Sequence, residues 1–247
     1  MSPDTTTPGA GDARFVTTHW SVVLAAGQTD VSRAQGALAR LCQTYWYPLY
    51  AYIRRRGYSP HDSQDLTQAF FAHVLERQAL ASADPNRGRF RSFILTALNN
   101  FLATEWEKAH ALKRGGGRQV ISLDMAAAEQ RFDLEPVDPV SPDQLFEKQW
   151  ALALLDQVLS QLEAEYTHSR KAELFNTLKQ TLTGTSESQP YSILATKLAM
   201  SESAVKVAVH RLRKRYRELL RIEITNTVAD PDQTDEELRE LFNVLSG

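Results

Sequence analysis

An all-α fold of two small helical domains joined by a flexible acidic linker follows from three features of the sequence. Apolar residues recur at steps of three and four through most of the 247-residue chain, the period of a helix buried on one side. No stretch alternates polar and apolar residues over the length of a convincing strand. Charge changes sign in blocks. Lys plus Arg outnumber Asp plus Glu by 12 to 6 over residues 37–118, whereas acids outnumber bases by 7 to 2 over 119–150. The pattern repeats, with 7 bases to 2 acids over 201–222 and 1 base to 7 acids over 223–247. The net charge of −2 averages these blocks away. Their order places two polyanion-facing domains in the chain, with a linker and a tail that the same polyanion would repel.

The first 14 residues are rich in Pro, Thr and Gly and are expected to be disordered. A short helix capped by Thr18 follows, with Trp20, Val23 and Leu24 inward. From Ala34 to Arg56, Leu38, Leu41, Tyr45, Leu49 and Ile53 mark a longer helix that Pro48 must kink or restart. Gly57 ends it, and Ser59-Pro60 supplies a cap and first residue for a helix to about Gln78 with Leu66, Phe70 and Val74 on one face. After the turn-rich Ala83–Gly88, a helix from Arg89 to about Leu112 carries Phe90, Phe93, Phe101 and Trp106, most of them core residues. Lys113–Arg118 forms a flexible basic exit. Pro136, Pro139 and Pro142 among acids mark residues 119–143 as an extended linker. Helices resume at Gln144, with Trp150, Leu152, Leu155, Val158 and Leu162, and again over Ala172–Leu182 before a loop from Thr183 to Gln189.

Residues 191–220 have the outline of a helix-turn-helix. Ser201 caps the second helix and Glu202 suits its positive end. Val205, Val209, Leu212, Tyr216 and Leu219 form its inward stripe, and Lys206, His210, Arg213, Lys214 and Arg217 lie mostly opposite, where a polyanion would meet them. Taken alone, such a segment reads equally well as a solvated basic face.

Nothing in the chain assembles a catalytic or cofactor site. The six histidines are scattered and none pairs with a His or Cys at metal-ligand spacing. The glycines of Gly115–Gly117 are not followed by the GK[ST] of a phosphate-cradling loop. Asp62 and Asp65 share a helical face, but acids are favoured at helix starts for dipole reasons alone. No nucleophile or second acid cluster accompanies them, so an enzyme, a bound metal and a cofactor are not expected. No apolar run approaches the ~20 residues that span a bilayer, and the N-terminus lacks the basic and apolar regions of a signal peptide. A cytoplasmic protein without membrane contact is expected. Cys42, the single cysteine, sits among Leu38, Leu41 and Tyr45 as a buried apolar residue.

Three motifs in order resemble the bacterial RNA polymerase sigma factors of the sigma-70 superfamily, in particular the small extracytoplasmic-function (ECF) type that keeps domains two and four. DSQDLTQAFF, Asp62 to Phe71, is similar to the region 2.2 pattern D-x-x-D-L-x-Q-x-x-F. FRSFILTALNN, Phe90 to Asn100, resembles the region 2.3–2.4 pattern F-x-x-W-L-x-x-I-A-x-N, and Leu198 to Arg211 resembles the L-G-x-S-x-x-x-V-K-x-x-x-x-R end of domain four. The resemblance implies a sigma region 2 domain over 15–118, a linker over 119–143, a region 4 helix-turn-helix domain over 144–224 and an acidic extension over 225–247. It implies a promoter-specificity subunit that binds core RNA polymerase, reads minus-35 and minus-10 elements and promotes melting without bond chemistry of its own. Asp62, Asp65, Gln68 and Phe71 would dock on the β′ clamp helices, with the β flap as the second polymerase contact. Arg89, Phe90, Arg91 and Asn100 would meet minus-10 DNA. Ser203, Lys206, Val207, His210, Arg211 and Lys214 would meet minus-35 DNA, with Arg213 and Arg217 on phosphates.

The chain departs from the family pattern at particular residues. Ala199 stands where the family has a turn glycine, at a cost of ~1 kcal/mol if a positive φ is needed there. Ser63-Gln64 replaces Ala-Glu, which removes a negative charge from the clamp-binding face. Thr67 lies beside this gap, so a Ser/Thr kinase joins an anti-sigma factor among the further partners: phosphorylation of Thr67 would restore the charge, although an ordinary exposed threonine is the better reading. In the tail, Thr234 followed by Asp235-Glu236-Glu237 starts a helix with Leu238, Leu241, Phe242 and Leu245 inward. Packing on domain four is favoured there over an autoinhibitory cover of the basic helix. The alternative for the whole chain is a conventional helix-turn-helix regulator with an N-terminal sensor or dimerisation domain.

Overall fold

Apolar stripes at helical spacing become helices throughout the described residues, 31–75, 89–111, 125–133, 141–182 and 189–246 of a computed structural model. The expected disordered N-terminus, the helix at Thr18, the 83–88 turn, the Lys113–Arg118 exit and most of the 183–189 loop lie outside them. In order, the helices are α1 (Val31–Arg55), α2 (Pro60–Leu75), α3 (Phe90–Ala111), α4 (Met125–Asp133) and α5 (Pro142–His168). Then come α6 (Ala172–Leu178), α7 (Tyr191–Lys197), α8 (Glu202–Thr227) and α9 (Thr234–Ser246). An isolated antiparallel bridge between Arg89 and Val228 is the one β feature given among the described residues. The chain is all-α.

Local chemistry explains the boundaries. Ser59 Oγ accepts the Asp62 N–H at 3.1 Å and donates to the Asp62 carboxylate at 2.6 Å, so Ser59-Pro60 starts α2 as expected. At α5, Ser141 and Gln144 form a reciprocal capping box and Pro142 takes the first helical position. The start expected at Gln144 is two residues late, because Pro142 reads as part of the linker. Helix α1 runs through Pro48 as one element rather than restarting.

The turn between α7 and α8 strains one residue. Ala199 adopts φ 50°, the left-handed conformation that its family-glycine position suggested. Met200 N–H reaches Ala195 O at 3.0 Å and Ala199 N–H reaches Thr196 O at 3.3 Å, the paired bonds of a Schellman stop. Arg170, at φ 57°, closes α5 with the same two bonds. Ala199→Gly should therefore raise stability by about 0.5–1 kcal/mol, after the larger unfolded-state freedom of glycine is deducted. Urea denaturation measures this, and a lower midpoint for the glycine variant would contradict it.

Helix α5 organises the rest. Its buried residues, Phe146, Trp150, Ala151, Leu154, Val158 and Leu162 among them, lie in one buried cluster with Tyr45, Leu49 and Ile53 of α1, Phe90 and Ile94 of α3, and Val205, Val209 and Leu212 of α8. Leu241 of α9 joins the same cluster. Helices from the early and late parts of the chain thus contribute to one hydrophobic cluster. Part of the expected linker is also structured. In α4, Glu129 accepts two bonds from Arg54 at 2.8 and 3.2 Å and a third from the Tyr50 hydroxyl. Arg131 lies 4.2 Å from the Tyr47 ring centroid and bonds Gln149 at 3.2 Å. Acids spaced for solvent in the sequence are, at Glu129, acids spaced for Arg54. Burial opposes the Glu129 charge, but the bonds from Arg54 and Tyr50 outweigh it and hold the carboxyl below its usual range. Cys42 is buried as expected, and burial raises its thiol to about 12.

Candidate nucleic-acid interface

Helix α8 presents its cations because its other face is filled. Val205, Val209, Leu212, Leu219 and Leu220 are buried, and Leu194 and Ala195 of α7 are buried in the same cluster. Ser201 Oγ accepts the Ala204 N–H at 3.2 Å and fixes the N-terminus. On the outward face Ser203, Lys206, Val207, His210, Arg211 and Lys214 are all exposed, at the i, i+3, i+4, i+7, i+8 and i+11 positions of one stripe. Val207 is 49% exposed, which leaves it open to an apolar contact such as a thymine methyl. Ser203, Val207 and Arg211 also line a shallow cavity of about 430 Å³ with Tyr166, Lys171 and Met200.

The later cations do not all share this freedom. Arg213 donates from Nε and Nη2 to the Thr181 carbonyl at 3.1 and 2.7 Å, which ties α8 to the end of the α6 segment, and it stays exposed. Arg215 is held by Glu165 at 2.6 and 2.8 Å and by Glu218 at 3.2 Å. Arg217 bonds the Arg213 carbonyl at 3.2 Å and stays exposed.

On α2, Asp62 and Asp65 are exposed and Gln68 is half-buried, an outward polar stripe. Phe71 is not part of it. It is 2% exposed and packs beside Phe70, because positions 63, 67, 70, 71 and 74 all face the core. Thr67 is likewise fully buried, and its hydroxyl donates to the Ser63 carbonyl at 2.6 Å. A kinase cannot reach it without unfolding α2, so the phosphorylation reading falls. The polar Ser63 and Thr67 disguise the inward stripe of α2.

The residues expected at minus-10 DNA separate into two groups. Asn100 is exposed on α3, while its neighbour Asn99 accepts bonds from Tyr52 at 2.9 Å and Arg56 at 2.7 Å. Phe90 is wholly buried, edge-on to Tyr45 at 4.9 Å between centroids, and serves the core. Arg89 and Arg91 are occupied by acids. Arg89 pairs with Glu236 at 2.7 Å and Glu237 at 3.1 Å. Arg91, 7% exposed, bonds Glu237 at 2.7 and 3.2 Å, pairs with Glu147, and lies 4.9 Å from the Trp150 ring centroid. Burial works against the Arg91 charge, but these carboxylates prevail and raise its pKa above the ordinary arginine value. Burial raises the Glu147 carboxyl despite Arg91.

Sequence reasoning overlooked Glu147, Glu236 and Glu237 as partners of these arginines. The run Asp235-Glu236-Glu237 was visible only as a helix start, and no local pattern links it to residues 146 positions away. Among the described residues no group of three or more His, Cys, Asp or Glu is placed to hold a metal, and no helix is long and apolar enough to cross a membrane.

Residues 41–111, which span the end of α1, all of α2 and all of α3, match the family model of sigma-70 region 2. This segment is similar to a sigma-70 region 2. This supports a sigma-70 family sigma factor, whose region 2 serves promoter recognition and melting. The motifs at Asp62–Phe71 and Phe90–Asn100 both fall within the matched segment of region 2, and the basic stripe of α8 lies outside it. No curated protein and no solved structure matches the chain.

Proposed function

We propose that the protein is a sigma factor of the ECF type, in which region 2 binds core RNA polymerase and the minus-10 element and α7–α8 reads the minus-35 element. The observation that carries this reading is the outward stripe of α8. Six residues suited to base and phosphate contact, from Ser203 to Lys214, lie on the face of a well-capped helix whose opposite face is packed, and the same chain has a segment similar to region 2. The first turns of such a helix enter the major groove, so Lys206, Val207, His210 and Arg211 would read bases and Lys214 would meet phosphate. Asp62, Asp65 and Gln68 would contact the β′ clamp helices, with the β flap engaged by the α7–α8 part. Asn100 would hold an unstacked minus-10 base. The protein performs no bond chemistry in this scheme; its work is recognition and strand separation.

Reconstitution with core RNA polymerase, followed by sequencing of the transcript starts, tests the proposal and yields the promoter. Arg211→Ala should then weaken binding to that promoter by about 1–3 kcal/mol and relax specificity at one base position, as expected for loss of a base contact. Lys214→Ala should weaken binding evenly across sequences and lower the salt slope by about 1. Transcript starts that do not depend on this protein would sink the reading.

A further inference from the structure

Helix α9 lies across the two cations at the start of α3. Its docking rests on apolar contact through Leu241, with Leu238, Val244 and Leu245 partly buried, and on the Arg221–Asp235 pair with α8. Thr234 sits within 3.1 Å of Thr225, fixing the first turn of α9 against the end of α8. That turn delivers Glu236 and Glu237 to Arg89 and Arg91, and the Arg89–Val228 bridge holds the backbones together beside them. Glu237 is completely buried between both guanidinium groups. Glu237 and Glu147 take three of the Arg91 donors and the residue is only 7% exposed, which bars a phosphate from it, and the half-exposed Glu236 would repel one approaching Arg89.

Geometry gives a second, independent reason. Elements centred at minus-35 and minus-10 are ~25 base pairs apart, and at 3.4 Å per pair this is roughly 85 Å of duplex. Arg89 is bridged to Val228, the residue that follows α8. Lys206 lies on the same helix, so at 1.5 Å per residue it is only about 30 Å along the axis from that bridge. The docked chain cannot place α8 on one element and the start of α3 on the other.

We propose that this compact form is an autoinhibited state of the sigma factor, in which α9 is a latch that occupies the region 2 arginines and holds the two promoter-reading parts too close together for one promoter. The inference rests on the proposed function. Nucleic-acid phosphates and the carboxylates of α9 compete for Arg89 and Arg91, and each weakens the hold of the other by the same factor.

The test uses the full chain with Glu236→Gln and Glu237→Gln together, compared with Glu163→Gln and Glu173→Gln, two exposed acids whose loss changes the net charge equally. The probe is a 40-base-pair duplex of random sequence, titrated over a range of salt. Releasing two arginines should tighten binding about tenfold and steepen the slope of log K against log salt by about 2, while the control pair changes the slope little. Hydrogen exchange of the unmodified chain adds a measurement that needs no variant: saturating duplex should speed exchange across 234–246. A latch variant that binds no tighter than the control, or exchange in α9 that ignores DNA, overturns the latch. Runoff transcription with core polymerase separates the two readings. Loss of promoter-specific starts with the affinity gain intact refutes the sigma assignment and supports the latch, whereas normal transcription without the gain does the reverse.

Discussion

Trp150→Ala should lower the stability of the whole chain by about 3–5 kcal/mol and its melting temperature by roughly 10 °C. Trp150 is fully buried on α5, at the point where the early helices meet the late ones. Its ring supports the Arg91 guanidinium at 4.9 Å, and it shares a cluster with Tyr45, Phe90, Phe146 and Leu241. Alanine would leave a cavity that helices on both sides cannot close, because each is fixed by its own packing. The shape of the transition carries as much information as its midpoint. A shared core predicts one cooperative transition in which circular dichroism, fluorescence and calorimetry coincide. Two transitions, with only one displaced by Trp150→Ala, would mean that region 2 and the α7–α8 part unfold as independent bodies.

The helical stripes were legible because burial on one side forces a 3.6-residue period on the sequence, and α8 shows it plainly at Val205, Val209 and Leu212. The outward stripe of α8 was legible for the same reason, since everything off the buried face must meet solvent. Caps were legible where Ser precedes Pro or an acid, as at Ser59, and the left-handed turn at Ala199 was legible from the position it occupies. What stayed hidden was pairing between distant segments. Arg91 and Arg213 are indistinguishable from free surface cations in sequence, and only the fold reveals that Glu237 waits for one and the Thr181 carbonyl for the other. Period also misleads when an inward position is polar. Ser63 and Thr67 complete the buried stripe of α2, and Phe71, expected outward from the family resemblance, is buried beside them.

The acidic segments show why charge blocks alone do not define a domain boundary. Block counting treated 119–150 and 223–247 as segments repelled by a polyanion, and that is sound for DNA. It neglects that region 2, itself basic, attracts them. Glu129 is held by Arg54, Glu147 by Arg91, and Glu236 and Glu237 by Arg89 and Arg91. Exposed pairs of this kind contribute little, about 0–1 kcal/mol each, and apolar burial through α5 remains the main source of cohesion. The buried pair is different in kind: it adds specificity of docking, and breaking it is expensive.

Arg91→Ala should accordingly cost about 3 kcal/mol at neutral pH, far more than loss of a surface cation. The variant removes the counterion that the half-buried Glu147 shares with the buried Glu237, and leaves Glu237 with Arg89 alone. Undocking α9 would return Glu237 to water but leaves Glu147 on α5, so release of the latch relieves only part of the penalty. Removing Arg91 must raise the folded-state pKa of Glu147 further above the unfolded value, beyond the rise that burial already gives it. A carboxyl raised in this way opposes folding when ionised, and the opposition fades as pH falls to about 4, near its unfolded pKa. The stability gap between Arg91→Ala and the parent should therefore shrink from about 3 kcal/mol at pH 7 to about 1 kcal/mol or less near pH 4. Arg91→Ala combined with Glu237→Ala should recover part of the loss, with a coupling energy of about 1–3 kcal/mol. Urea denaturation of the four chains at both pH values measures every quantity in this cycle. A gap below about 1 kcal/mol at pH 7, unchanged by acid, would place Arg91 among ordinary surface cations and return it to the pool available for minus-10 DNA.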